Sequence, residues 1–156
     1  MRPFLLIAWD LERPMCILRA TDTWIHTFSS KEEAENVVVK VPAGTYEGQR
    51  RDGYQMKGFI PQRVFTDYEI VDLRDWVYEY IDEYIMDRFQ PFLLIVGCKN
   101  NVEYGTSGWV ETFRTKQDAE ELVKKQPDSR YKISNIINDY VVDWYDIIDL
   151  REWMDI

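Results

Sequence analysis

WIHTFSSKEEAENVV, residues 24–38, returns as WVETFRTKQDAEELV at 109–123. Trp, Thr, Phe, Lys, Ala and Glu recur in register at a separation of 85 residues, and the apolar positions between them are matched like for like. A fixed internal period marks a duplication, and it decides the fold before any single element is read.

The two copies extend outward from this stretch. Upstream, PFLLI at 3–7 matches PFLLI at 91–95, a separation of 88. Downstream, YQMKGFIPQRVFTDYEIVDLRDWV from Tyr54 matches YKISNIINDYVVDWYDIIDLREWM from Tyr131, a separation of 77. Each change of separation is a change of loop length. The drop from 85 to 77 gives the first copy about eight extra residues between Pro42 and Tyr54, where AGTYEGQRRDG has the glycines and charges of an exposed loop. Residues 1–77 form repeat unit 1, 89–156 form repeat unit 2, and 78–88 continue a connecting helix.

Within each unit the spacing predicts strand, strand, helix, strand, strand. PFLLIAW is an apolar run suited to a strand buried on both faces. Residues 15–28 then hold one long or two short strands, MCILRA first and WIHTF second with a break near Thr21 and Asp22, and Trp24 and Phe28 point to one face, Ile25 and Thr27 to the other. In the second copy KNNVEYGTSG supplies turn residues at the matching place. Ser30 and Glu33 form a Ser-x-x-Glu capping box, and Ala34, Val37, Val38 and Val41 then fall at helical spacing. Thr115 caps the second helix, with Ala119, Leu122 and Val123 on its apolar face, Lys124 and Lys125 at its negative end and Pro127 as its stop. Two strands per copy follow, YQMKGFI or YKISNII and then YEIVDL or YDIIDL, and Pro61 places a turn or edge in the first copy. The fold class is α+β: two tandem ββαββ-type repeats, each too small for a secure core of its own, packed with pseudo-twofold symmetry. From Leu73, the residues Trp76, Val77, Tyr80, Ile81, Tyr84, Ile85 and Phe89 keep a helical period, which makes the joining segment an amphipathic helix.

Composition excludes several classes of function. The chain has 156 residues with 46% hydrophobic and 15% aromatic residues, ample for a packed core. No apolar run approaches a membrane span, and PFLLIAW reads as a core strand because PFLLIVGC repeats it, so the expected location is cytoplasmic. Cys16 and Cys98 occupy unrelated repeat positions and read as reduced packing residues. The lone His26 is replaced by Glu111 in the second copy and reads as structural. Net charge is −9, divided as −5 up to residue 88 and −4 beyond it, which disfavours direct nucleic-acid or anionic-membrane binding and favours a basic partner.

The charge is concentrated. Asp67, Glu69, Asp72, Asp75, Glu79, Asp82, Glu83 and Asp87 stand against Arg74 alone, and residues 139–155 repeat the theme against Arg151. On the predicted joining helix, Asp75, Tyr78, Glu79, Asp82 and Met86, with Glu83 alongside, form the candidate partner-binding face: carboxylates to steer association and aromatics to anchor it. The bland alternative is a solvated face. Asp72 with Asp75 and Asp149 with Glu152 sit at i, i+3, but the arginine between them points to local pairing and a capped turn, not a metal or acid–base site. One histidine, no nucleophile elbow and no phosphate-cradling glycine loop leave no catalytic residues, cofactor or metal to assign.

The combination of the PFLLI strand, W-x-x-T-F leading into a T/S-K-x-x-A-E helix, and the YDIIDL strand resembles small accessory proteins of phages and other mobile elements. The resemblance implies no catalytic residues. It implies a non-enzymatic acidic interaction protein, a phage-type inhibitor of a host defence or nucleic-acid-processing protein. Two alternatives stand beside it: an immunity protein against a basic toxin, and a nucleotide or other small-ligand binder using a groove between the repeats lined by Trp24, Trp76, Trp109 and Trp153.

Overall fold

The computed structural model describes residues 2–11, 23–59, 63–75, 90–98, 108–134 and 139–153. In chain order its elements are β1 (Phe4–Trp9), β2 (Thr23–Phe28), α1 (Lys31–Val37), β3 (Val38–Val41), β4 (Gly53–Met56) and β5 (Asp67–Asp72) in the first copy. The second copy has β6 (Phe92–Gly97), β7 (Gly108–Phe113), α2 (Lys116–Glu121), β8 (Val123–Lys125), β9 (Tyr131–Ser134), β10 (Asp139–Val142) and β11 (Trp144–Asp149), then a 3-10 turn at Leu150–Trp153. The protein is α+β, built of small antiparallel sheets. One sheet runs β2-β1-β5 and another β7-β6-β11, accompanied by the β3-β4 hairpin and the sheet β8-β9-β10.

The central strands β1 and β6 are apolar on both faces, and the alternation of side chains sorts those faces into different cores. Leu5, Ile7 and Trp9 of β1 meet Leu93 and Ile95 of β6, together with Ile25, Leu73, Val110 and Leu150, in one buried cluster drawn from both copies. The opposite face of β1, Leu6 and Ala8, packs with Trp24, Phe28, Ala34, Met56 and Phe65 of the first copy. The opposite face of β6, Leu94 and Val96, packs with Cys98, Ala119, Ile133 and Val142 of the second. The shared cluster answers the problem of size, because neither copy encloses its main sheet alone.

Both helices are short, and here the structure corrects the expected pattern. α1 ends at Val37, and Val38 leaves with φ −81° and ψ 122° into β3, whose register pairs Val38 with Met56 and Val41 with Gly53. The spacing of Ala34, Val37, Val38 and Val41 had suggested one longer helix. Three successive β-branched valines favour extended backbone, and pairing with β4 supplies the hydrogen bonds. In the second copy Val123, Lys124 and Lys125 likewise form β8, so the two lysines lie on a strand and not at a helix end. Each repeat is therefore more strand-rich than ββαββ, and β10 is a further strand in the second copy.

The caps form as the sequence indicates, with one change of partner. Ser30 Oγ accepts from Glu33 N at 3.1 Å and Thr115 Oγ1 from Asp118 N at 3.1 Å. The Glu33 carboxylate accepts from the Ser29 hydroxyl. Fully buried Ala34 and Ala119 then bring each helix close to its sheet.

One cross-strand row distinguishes the copies. Trp9 on β1 faces Asp67 on β5, whereas the equivalent row pairs Gly97 on β6 with Trp144 on β11. A Cβ at Gly97 would lie 2.7 Å from the Trp144 ring, so glycine is what lets the indole lie over the strand. Each sheet contributes one indole to the shared core from this row, but from opposite strands.

In the extra loop of the first copy, Gly44 and Gly48 adopt φ of 82° and 79°, and backbone bonds from Gly44 N to Gln49 O and from Gln49 N to Tyr46 O close its turns. The strand expected over MCILRA, the loop KNNVEYGTSG up to residue 107, Cys16 and Pro61 lie outside the described residues.

Candidate functional site

The duplicated DLRDW and DLREW segments turn the chain out of β5 and β11. Asp72 Oδ1 accepts from Arg74 N at 3.0 Å and Arg74 Nε at 2.9 Å, and Oδ2 accepts from Arg74 Nη2 at 2.9 Å. Asp149 and Arg151 repeat the arrangement at 3.1, 2.8 and 2.7 Å. Each guanidinium also covers a phenylalanine at the start of its sheet, Arg74 over Phe4 at 5.4 Å and Arg151 over Phe92 at 5.3 Å. The side-chain hydrogen bond from its arginine holds each aspartate carboxyl below the usual carboxylate value, against a smaller opposing effect of burial. These aspartates cap a turn and bind its arginine.

Residues 73–75 are helical, with Leu73 buried in the shared core and Asp75 exposed. Asp75 is thus placed at the outward start of the segment expected to bind a partner. Tyr78, Glu79, Asp82, Glu83 and Met86 lie outside the described residues, as do Trp76 and the side chains of Trp109 and Trp153. Among the described residues no group of His, Cys, Asp and Glu is arranged to hold a metal ion, and no helix is long and apolar enough to cross a membrane.

The aromatic residues expected near a groove between the repeats are packed where the structure describes them. Trp24 is fully buried and donates from Nε1 to Cys98 O of the other copy at 3.0 Å. His26 is buried with its ring centroid 4.7 Å from Phe59, 4.8 Å from Trp144 and 5.2 Å from Phe28. Its Nδ1 is 2.9 Å from Thr27 O and 3.4 Å from Arg2 Nη2. The buried Sγ of Cys98 is 3.5 Å from Val141 O. These contacts make the described junction between copies an aromatic, hydrogen-bonded core.

Two hollows open on the first copy. One, of about 280 Å³, lies between the extra loop and residues 64–66 and includes Tyr46, Gln49 and Arg51. The other, of about 640 Å³, runs between α1 and β5, with Lys31 and Glu35 on the helix side and Asp67, Tyr68 and Glu69 on the strand side. Sequence reasoning counted Asp67 and Glu69 in an acidic run but did not join them to Glu35 and Tyr54. The signal lay in the duplication: Lys31, Glu35, Tyr54, Tyr68, Glu69 and Ile70 return as Lys116, Glu120, Tyr131, Tyr145, Asp146 and Ile147.

Comparison with protein-family models, with characterised proteins and with solved structures finds no match to this chain.

Proposed function

We propose that this chain is a non-enzymatic acidic binding protein that works by occupying a basic protein surface. In this reading it is a phage-type inhibitor of a host defence or nucleic-acid-processing protein acting in the cytoplasm, with its two copies related by a pseudo-twofold axis. The observation that carries the reading is the charge: −9 over 156 residues, with both copies negative. The chain also places Asp75 outward beside the shared core, at the head of a segment rich in carboxylates and tyrosines. Such a surface raises the association rate with a cationic partner, while the aromatics supply the desolvated contacts that slow dissociation.

The test is capture of partners from a lysate at low and at high salt, using the wild-type chain and a Glu79→Lys, Asp82→Lys variant. A basic protein held at low salt, shed at high salt and lost by the variant is the expected result. Capture that ignores both salt and charge reversal contradicts the reading.

A further inference from the structure

Among the described residues β5 is an edge strand whose sheet partner is β1, with Leu6 set against Ile70 and Ile7 against Glu69. Just before it, Phe65 exchanges backbone hydrogen bonds with Tyr54 of β4 at 2.7 and 2.8 Å, so the open part of the edge begins beyond that bridge. Leu73 N donates to Pro3 O at 2.8 Å, which fixes the phase of the ladder. Odd-numbered residues of this strand direct their backbone groups toward β1, and Tyr68, Ile70 and Asp72 direct theirs to the outer edge. An open edge is a template for another strand, and charged side chains on it decide which strands are repelled. β5 carries no lysine or proline, and its charges are the carboxylates Asp67, Glu69 and Asp72, which repel an acidic strand and not a basic one. Asp67 Oδ1 does accept from Tyr68 N at 2.8 Å, which leaves the centre of the edge at Ile70.

The edge opens onto the 640 Å³ groove. Its floor includes the Tyr54 and Tyr68 rings, packed edge to face at 4.8 Å, and its rim carries Glu35, Asp67 and Glu69 against Lys31, itself 3.8 Å from Glu35. The second copy preserves both pairs: Tyr131 and Tyr145 at 4.8 Å, and Lys116 with Glu120 at 3.8 Å. There Leu150 N donates to Pro91 O at 2.7 Å, so Ile147 directs its backbone groups outward from β11 as Ile70 does from β5.

We propose that the groove between α1 and the outer edge of β5 receives an extended lysine- or arginine-bearing peptide segment, which joins the sheet as a further strand, with a weaker equivalent at β11. Main-chain bonds to the edge supply affinity, and the carboxylate rim and tyrosine floor select alternate side chains of the incoming strand. The acidic rim sets the sign of the partner. The β11 site is the weaker because Trp144 replaces the carboxylate of Asp67. The inference rests on the proposed function for the basic character of the partner, but it assigns the contact to a different surface from residues 75–86.

The full chain, labelled with ¹⁵N, is titrated with a short synthetic peptide of alternating lysine and valine, and amide exchange is followed residue by residue. The Ile70 amide is expected to shift and to exchange about tenfold more slowly when the peptide is bound. A Glu35→Lys, Glu69→Lys variant is expected to weaken binding about tenfold, while the spectrum of β6 and β7 stays unchanged as a control on folding. The Glu79→Lys, Asp82→Lys variant is expected to bind the peptide as the wild type does. Peptide binding without protection of Ile70, or binding indifferent to the groove reversals, overturns the proposal. Binding lost only in the Glu79→Lys, Asp82→Lys variant also overturns it, and leaves the acidic-partner reading standing on residues 75–86.

Discussion

At the residue scale, two kinds of position carry most of the specific information. The first is the aspartate–arginine turn after β5 and after β11. Because the arginine lowers the Asp72 and Asp149 carboxyls below their ordinary value of 3.8, the stabilisation they give is present above that pH. It is lost as the pH falls through the lower folded-state values. Both pairs are partly exposed, so the contribution is screened by solvent and salt. An Asp72→Asn, Asp149→Asn variant is expected to show a shallower loss of stability below about pH 4 than the wild type, followed by thermal melts across a pH series. The second is Gly97. A Gly97→Ala variant drives Cβ into the Trp144 ring and is expected to cost about 1–3 kcal/mol in urea unfolding, with a change in tryptophan fluorescence. The replacement of Trp9 and Asp67 by Gly97 and Trp144 was visible in the aligned copies. That the two indoles enter one core required the strand register.

At the scale of elements, the strands of the two main sheets were legible because PFLLI and the YEIVDL and YDIIDL runs are short, apolar and repeated. The helix boundaries were not. Ala34, Val37, Val38 and Val41 satisfy a helical period, but the last two serve equally as the two ends of a short strand, and spacing alone does not separate these readings. Pairing with β4 does. β10 escaped for a related reason: only Asp143 separates it from β11, and no glycine, proline or asparagine marks the turn. The small residue at the centre of each helix is a firmer expectation. Ala34→Leu and Ala119→Leu each push a helix off its sheet and are expected to lose about 1–3 kcal/mol, measured by denaturant unfolding. Of the candidate site, the sequence showed the acidic run and the capped turns. The groove beside β5 was not legible, since it joins residues of α1, β4 and β5 that are distant in the chain.

At the scale of the whole molecule, the duplication yields three cores in place of two. One lies inside each copy and the third between them, and the third is built from equivalent residues: Leu5 with Leu93, Ile7 with Ile95, Ile25 with Val110, Leu73 with Leu150. Leu73 and Leu150 follow directly on β5 and β11, so the shared core also anchors the turns from which the acidic segments leave. Asp75, two residues beyond Leu73, is exposed where the chain leaves that core.

The central claim is that the two copies depend on one shared core, and native-state hydrogen exchange on a full-length Leu5→Ala variant tests it most directly. The substitution lies in the first copy and is expected to cost about 2–5 kcal/mol. If the core is shared, the amides of β6 and β7 in the second copy exchange faster by the same free energy as those of β1 and β5. Unchanged protection in β6 and β7 beside faster exchange in β1 and β5 would show that the copies fold independently, and would contradict the account.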